Sequence, residues 1–493
     1  MKLSRREFIK GTAASAGALP FDLLAAQDNS STQKVFTNTT IITNDSERRT
    51  LLNSALAIEN DLIVAIGNTD DVLARYPMAE VHDGSRKALL PGLINCHAHL
   101  AATIAKGFNE DFGFPNSYRL KRSPESYLSA EEATIMSTLA AVEGLKAGTT
   151  TMVQNTGGIA RDAAELVKTG QRWVFAESVR DITTVNGPMS PTRFRDSRSP
   201  EFSEQLRDEG MTRISDLHTR WHGYDGGRVQ VFPAAALTEL SSPELLREVR
   251  EFADTNKLGY TIHMTQSQAE VDFMLRYHGV RPAIYLAQND FLGPRLFAAH
   301  ARYCDVQEIR ALSESDTIIT HQAAMAANRG VNPPISSLRD AGCRIALGTD
   351  NNNTDMLHVM KTSISLERIQ RNNEIPGTLP QPEDILADAC SGGAQAVNMP
   401  DSIGSLQIGK KADMLVLDTF KPHLVPSGRI LSAWIHNGQP SDIDSVLVDG
   451  RFIMKDRKLT TLDEGSLMQE AYKIGERVWG EILENGPITI PRL

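Results

Sequence analysis

Eight short apolar runs, most of them separated by helix-length segments, constrain the fold of this chain more than any other feature. They are Ala88 to Asn95, Thr149 to Gln154, Trp173 to Glu177, Val229 to Ala234, Tyr260 to Met264, Leu296 to His300, Thr317 to Thr320 and Arg344 to Gly348. Each is short enough to be a fully buried strand, and the segments between carry helical periodicity, as Ala130 to Ala147 does with its apolar spacing of three and four. Ser242 to Lys257 opens on a Ser-Ser-Pro cap, the signal of a loop turning into a helix. Eight βα units in this order predict an α/β TIM barrel, the (β/α)8 fold, over residues 91–399.

Both flanks read differently. Short β-rich runs at Lys34 to Thr43, Ser54 to Ile58 and Leu62 to Ile66 precede the barrel, and Ala412 to Leu417, Asp444 to Val448 and Arg451 to Met454 follow it. Asp449-Gly450 joins the last two as a strong hairpin turn. The simplest arrangement is one small β-sandwich built from both chain ends, residues 33–90 and 400–460, with a helical tail over 461–493. The start of the chain is of another kind: Ser4 to Lys10 reads S-R-R-E-F-I-K, and a weakly apolar Ala/Gly-rich stretch runs from Gly11 to Ala26. Residues 1–26 are similar to a twin-arginine signal, which implies the twin-arginine translocation machinery as a partner and an exported, periplasmic or secreted, location. No later run reaches 18 uninterrupted apolar residues, so no stable membrane span is expected.

Composition narrows the partner. With 51 Lys+Arg against 61 Asp+Glu and a formal net charge of -10, the chain has no electrostatic reason to bind nucleic acid, and a small-molecule substrate is expected. Cys96, Cys304, Cys343 and Cys390 lie singly, which predicts neither a zinc ribbon nor a disulfide framework. Whether the chain forms a homo-oligomer stays open. Histidine is scarce, 12 in 493 residues, and its placement is uneven. His97 and His99 follow the first run, His263 sits near the end of the fifth, His300 ends the sixth, His321 follows the seventh and Asp350 follows the eighth. In a barrel the carboxyl ends of the strands converge on one rim, where the chemistry of the fold sits, so all six side chains are predicted there. In His97-Ala98-His99 the spacing of two puts both imidazoles on one side of an extended strand end, where they can close on one ion.

That pair stands in Pro91-Gly92-Leu93-Ile94-Asn95-Cys96-His97-Ala98-His99 and is matched near the eighth run by Leu347-Gly348-Thr349-Asp350. With these motifs the sequence resembles the amidohydrolase superfamily, in the branch of cytosine deaminase-like, adenosylhomocysteine deaminase-like and chlorotriazine hydrolase-like enzymes. The likeness extends into the split sheet domain through Gly404-Ser405-Leu406, Gly409-Lys410-Lys411-Ala412-Asp413 and Val448-Asp449-Gly450. It implies a metal-dependent hydrolase acting on carbon–nitrogen bonds other than peptide bonds: a cyclic or linear amide, an amidine or an aminated heterocycle. One divalent metal would be held by His97, His99, His263 and Asp350, while His300 would hold the attacking water and His321 would face the substrate. Zinc is the first choice for three imidazoles and a carboxylate, and iron(II) also fits. A divalent ion lowers the pKa of a bound water from about 15.7 towards 7. Asp350 can then accept the proton while His300 orients the water.

One position departs from this pattern. Deaminases of the branch carry H-x-x-E after the fifth strand, whereas His263-Met264-Thr265-Gln266 places Gln266 there, and a carboxamide cannot exchange a proton near pH 7. Three readings follow. Glu270, one helical turn on, or Glu177 of the third strand supplies the acid from the substrate side, Glu177 otherwise forming an ion pair with Arg180. In the reading preferred here, Asp350 and His300 carry all the proton work and Gln266 positions the substrate. In the third, catalysis is lost and a metal-binding pseudoenzyme remains. Hydrolytic dehalogenation of an activated ring, which requires no proton for the leaving group, is the alternative reaction. Loops at Lys106 to Arg122 and Asp181 to Arg207 are expected over the rim as lids or specificity walls.

Overall fold

The computed structural model describes residues 32–112, 120, 122–184, 199–351, 353–375, 377 and 379–484. The expected export signal at 1–26 lies outside them, as do the middle parts of both rim loops, 113–119 and 185–198. Five strands come from the N-terminal flank: β1 (Gln33–Ile42), β2 (Thr50–Glu59), β3 (Leu62–Asn68), β4 (Glu80–Asp83) and β5 (Lys87–Pro91). Eight form the central unit: β6 (Leu93–Ala98), β7 (Thr149–Thr156), β8 (Arg172–Val179), β9 (Val229–Leu237), β10 (Tyr260–Met264), β11 (Leu296–His300), β12 (Ile318–His321) and β13 (Arg344–Leu347). The C-terminal flank returns with β14 (Met414–Asp418), β15 (Ile443–Val448), β16 (Arg451–Lys455) and β17 (Lys458–Leu459).

Strands β6 to β13 form one parallel sheet in sequence order. They are buried on both faces, which is why they read as unbroken apolar runs. The sheet closes towards a TIM barrel where its first and last strands meet: Thr349 N and Asp350 N donate to His97 O at 3.0 and 2.8 Å, and His99 N donates to Asp350 O at 3.2 Å. The seam thus brings the His97/His99 segment against Asp350. One expected strand is two. The run Ala88 to Asn95 divides at Gly92, with β5 pairing β1 and β14 in the outer sheet and β6 opening the barrel. A Cβ on Gly92 would collide with the Thr150 side chain, so glycine allows the chain to cross from one sheet to the other at this point.

The outer sheet runs β17-β16-β15-β14-β5-β1-β2-β3, with β4 on β1. The expected sandwich is one continuous nine-stranded sheet that curls over its own core, where Phe36, Leu56 and Ile58 pack with Met414, Leu447 and Phe452. Asp449 and Gly450 both have positive φ (48° and 69°), as a two-residue I′ hairpin between β15 and β16 requires. Beyond the sheet, the helix Glu464–Glu484 lays Ala471, Ile474 and Val478 on Ile104 and Met136, and Trp479 Nε1 donates to Ile104 O at 3.0 Å. This fixes the turn Leu100–Ala105 that directly follows His99. All four cysteines are free, and no helix among the described residues is long and apolar enough to cross a membrane.

A buried ion-pair group joins the two sheets. Arg172, at the start of β8, donates to Asp413 Oδ2 at 2.9 Å and Oδ1 at 3.1 Å and to Asp449 Oδ1 at 2.7 Å. Removing one partner of such a group strands the other charges away from water. Arg172→Met is therefore expected to lower the unfolding free energy by about 3–5 kcal/mol, read from urea denaturation. A change indistinguishable from zero would show that water replaces the guanidinium at this junction.

Candidate metal centre

Strand ends of the barrel bring His97, His99, His263, His300 and Asp350 to one place. Ring centroids of His97 lie 4.8 Å from His99, 4.7 Å from His263 and 5.5 Å from His300. Two overlapping sets, His97/His99/His263 and His97/His300/Asp350, each hold their ligand atoms within 4.8 Å of one another. Thr265, His300, Ala301 and Asp350 all have positive φ, so the backbone around this point adopts a conformation that side-chain-bearing residues rarely take.

The atoms fit a cation. His263 Nδ1 faces Ala236 O at 2.5 Å, and a carbonyl only accepts, so the ring proton sits on Nδ1 and Nε2 carries a bare lone pair. That Nε2 points at His99 Nε2, 3.2 Å away, which in turn is 3.5 Å from Asp350 Oδ1. The Nε2 of His97 is buried without a hydrogen-bond partner. Two atoms each about 2.0–2.1 Å from one ion at the tetrahedral angle lie about 3.3–3.4 Å apart, which matches both spacings. Burial, together with neighbouring imidazoles and, for His97 and His300, the Arg302 guanidinium, holds His97, His263 and His300 well below the usual histidine range. Near neutral pH they are uncharged, the form that binds metal.

A cavity of about 400 Å³ opens beside these groups, and His99, His263, Asp350, Gln266, Glu125 and Arg329 are in its wall. Gln266 therefore stands in the cavity, as the sequence predicts. The two carboxylates considered as its replacement do not. Glu270 is wholly buried, and its oxygens accept from Thr265 N at 2.8 Å and Gln266 N at 2.7 Å. It pins the loop that carries Gln266, and it is neither an exposed helix residue nor a group facing substrate. Glu177, expected to face the substrate, instead accepts from Gly158 N at 2.7 Å, Ile159 N at 2.9 Å and Arg213 Nε at 3.2 Å. Its ion-pair partner is thus Arg213 rather than Arg180. His321, expected at the substrate, is buried at the end of β12 and does not line this cavity; burial pushes its pKa down to about 3.

The structure adds residues that sequence reasoning missed. Arg302 lies buried against His300 and Asp350. Glu125, in the turn Pro124–Tyr127, has a carboxyl that burial pushes up from the usual range, and its Oε2 is buried without a partner. Glu125 lies on a connecting loop, and no spacing in the sequence ties it to the histidines. Arg302 stands two residues after His300, but the positive φ of His300 and Ala301 removes the strand alternation that would have placed it beside the ring.

Residues 88–453 match the amidohydrolase family. The chain belongs to that family. A shorter stretch, residues 55–77, matches an imidazolonepropionase-like composite domain of bacteria. This amidohydrolase is 29% identical over 435 residues to a 5'-deoxyadenosine deaminase of Methanobrevibacter smithii, covering 87% of this chain and 94% of the relative. It is likewise 29% identical over 449 residues to a 5-methylthioadenosine/S-adenosylhomocysteine deaminase of Syntrophobacter fumaroxidans, covering 90% and 97%. Among solved structures, an adenosine deaminase from Xanthomonas campestris with bound zinc superposes with a TM-score of 0.81 at 22% identity over 91% of this chain and 99% of the other. An atrazine chlorohydrolase from Arthrobacter aurescens complexed with zinc gives 0.78 at 19% identity over 90% and 100%. These two share its fold. As an amidohydrolase with deaminase relatives, the protein is a metal-dependent hydrolase of carbon–nitrogen bonds in small molecules.

Proposed function

We propose that His97, His99, His263 and Asp350 hold one zinc ion, and that the protein uses it to hydrolyse the C–N bond of a cyclic or linear amide, an amidine or an aminated heterocycle. The observation that carries this reading is the facing pair of Nε2 atoms of His99 and His263 at 3.2 Å, one of them bare of hydrogen because of Ala236 O, with Asp350 Oδ1 3.5 Å from the first. The zinc in two solved relatives of the same fold supports the choice of metal. When bound, the ion supplies Lewis acidity and a nucleophilic water near neutral pH.

The chain's own groups divide the remaining work. Asp350 turns Oδ1 to His99 and Oδ2 between His300 Nε2, 3.7 Å away, and Arg302 Nη2, 3.6 Å away, neither close enough for a direct hydrogen bond, so a lone pair of Oδ2 remains to take a proton from water. As the water oxygen bonds to the substrate carbon and the C–N bond breaks, that proton passes to the leaving nitrogen. His300 donates a hydrogen bond to the oxygen that gains charge at the tetrahedral stage. Gln266 positions the substrate, and Glu125, whose carboxyl burial pushes up from the usual range, lies in the same cavity wall. The S-R-R-E-F-I-K start supports export in folded form by the twin-arginine route to the periplasm or beyond, after the metal site has formed.

A screen of the metal-loaded protein against lactams, cyclic ureas, aminated heterocycles and acylated amines, with ammonia and new acid groups measured in parallel, tests this reading. Metal-dependent release of either product is expected. Gln266, which cannot deliver a proton, favours one other reading, dehalogenation of an activated ring; chloride released without ammonia or acid would replace the proposal with it. Gln266→Glu is expected to leave kcat/KM within about tenfold of wild type with metal content unchanged. A loss of more than about a hundredfold would assign the amide an indispensable hydrogen bond.

A further inference from the structure

Two imidazoles at the centre have opposite partners on their Nδ1 atoms. His263 Nδ1 meets a carbonyl, Ala236 O, which only accepts hydrogen bonds. His300 Nδ1 meets the guanidinium of Arg302, whose Nη2 stands 3.0 Å away. A guanidinium carries hydrogen on every nitrogen and accepts nothing, so at that contact the imidazole nitrogen must be the acceptor. The single ring proton of neutral His300 is then on Nε2, the reverse of His263.

Arg302 is built into its place. Its side chain is 4% exposed, Nη1 donates to Gln266 O at 3.4 Å, and Nη2 also faces Asp350 Oδ2 at 3.6 Å. Its backbone N donates to Thr265 O at 3.1 Å, beside Ala301 N, which donates to Met264 O at 3.1 Å. These contacts tie the end of β11 to the end of β10 and leave the guanidinium little freedom to turn away from the ring. We infer that Arg302 is a positioning residue that locks His300 in the Nε2–H tautomer.

By distance alone, His300 belongs to a ligand set with His97 and Asp350. With Nδ1 accepting from Arg302 and Nε2 carrying hydrogen, His300 has no lone pair to give a metal, and the ligands are His97, His99, His263 and Asp350. For the same reason His300 cannot accept the proton of the attacking water. Its Nε2–H stands 3.7 Å from Asp350 Oδ2, too far for a direct hydrogen bond, so it remains available to the oxygen that gains charge, and the carboxylate is the base. This inference rests on the hydrolytic reading for its role in turnover, although the tautomer itself does not depend on turnover.

The test uses the full-length protein labelled with 15N-histidine, with and without one equivalent of zinc, and His300→Gln to identify the His300 signals. A protonated Nε2 and an acceptor Nδ1 are expected in wild type. Arg302→Met should shift His300 to the other tautomer or a mixture, and Arg302→Lys, which restores a donor, should recover part of the wild-type signature. With a substrate from the screen, Arg302→Met should lower kcat by about a hundredfold while KM stays within about threefold and zinc stays at one per chain. In cobalt-substituted protein the visible spectrum should be indifferent to His300→Gln, since His300 is not a ligand. A wild-type His300 with hydrogen on Nδ1, or a cobalt spectrum altered by His300→Gln, would overturn the inference; the first of these needs no variant of Arg302 to fold. An empty activity screen with the Nε2–H signal intact would instead strike the proposed reaction alone.

Discussion

Replacing Asp350 with asparagine is expected to lower kcat/KM by roughly a thousandfold or more in a protein that still folds. The substitution keeps the shape of the side chain and removes its charge and its capacity to hold a proton. Oδ1 no longer offers the centre a full negative charge beside His99, and Oδ2, between His300 and Arg302, loses the role of base. The fold should survive because the seam depends on backbone: Asp350 N still donates to His97 O, Asp350 O still accepts from His99 N, and the positive φ of 64° suits asparagine as well as aspartate. Steady-state kinetics on a substrate from the screen, paired with thermal unfolding, checks this. More than a tenth of wild-type activity in a well-folded variant would place the base elsewhere in the cavity, with Glu125 the first candidate.

The second large effect is on metal content. His263→Ala removes one imidazole of the facing pair and leaves His99 Nε2 without its neighbour at 3.2 Å. Zinc per chain, measured by elemental analysis after gel filtration, is expected to fall from near one to a small fraction, and activity should fall with it. Chelation of the wild-type protein should abolish hydrolysis, and added zinc should restore it, because the donor atoms are carried on strand ends held by backbone hydrogen bonds across the barrel. Full activity after thorough chelation would contradict the metal mechanism. Retention of one zinc per chain by His263→Ala would contradict the ligand set.

The barrel was readable because its strands are buried on both faces, so each shows as an apolar run. Strands β10 and β11 fall on the residues predicted, Tyr260 to Met264 and Leu296 to His300. Periodicity failed where two strands abut: Gly92 is all that separates β5 from β6, and no pattern of hydrophobicity reveals that the chain changes sheets there. It also failed at β4, whose residues Glu80-Val81-His82-Asp83 lie at a polar sheet position. The gathering of His97, His99, His263, His300 and Asp350 was legible because convergence of strand ends is a property of the fold. The fates of the glutamates were not, since they depend on hydrogen bonds to particular backbone groups. Glu270 did leave a trace: Ser267-Gln268-Ala269-Glu270 has the spacing of a helix cap, and Ser267 Oγ accepts from Glu270 N. That spacing argued for a carboxylate engaged with the chain rather than with substrate. Arg302 needed the structure, because the left-handed backbone at His300 and Ala301 breaks the strand alternation that would otherwise predict where residue 302 points.

An anomalous difference map at the zinc absorption edge, from crystals of the zinc-loaded protein, should show one strong peak per chain, bonded to His97, His99, His263 and Asp350, with His300 not bonded to the ion. No peak at that point, or a peak ligated by His300 in place of one of the four, would rule out the proposed metal centre.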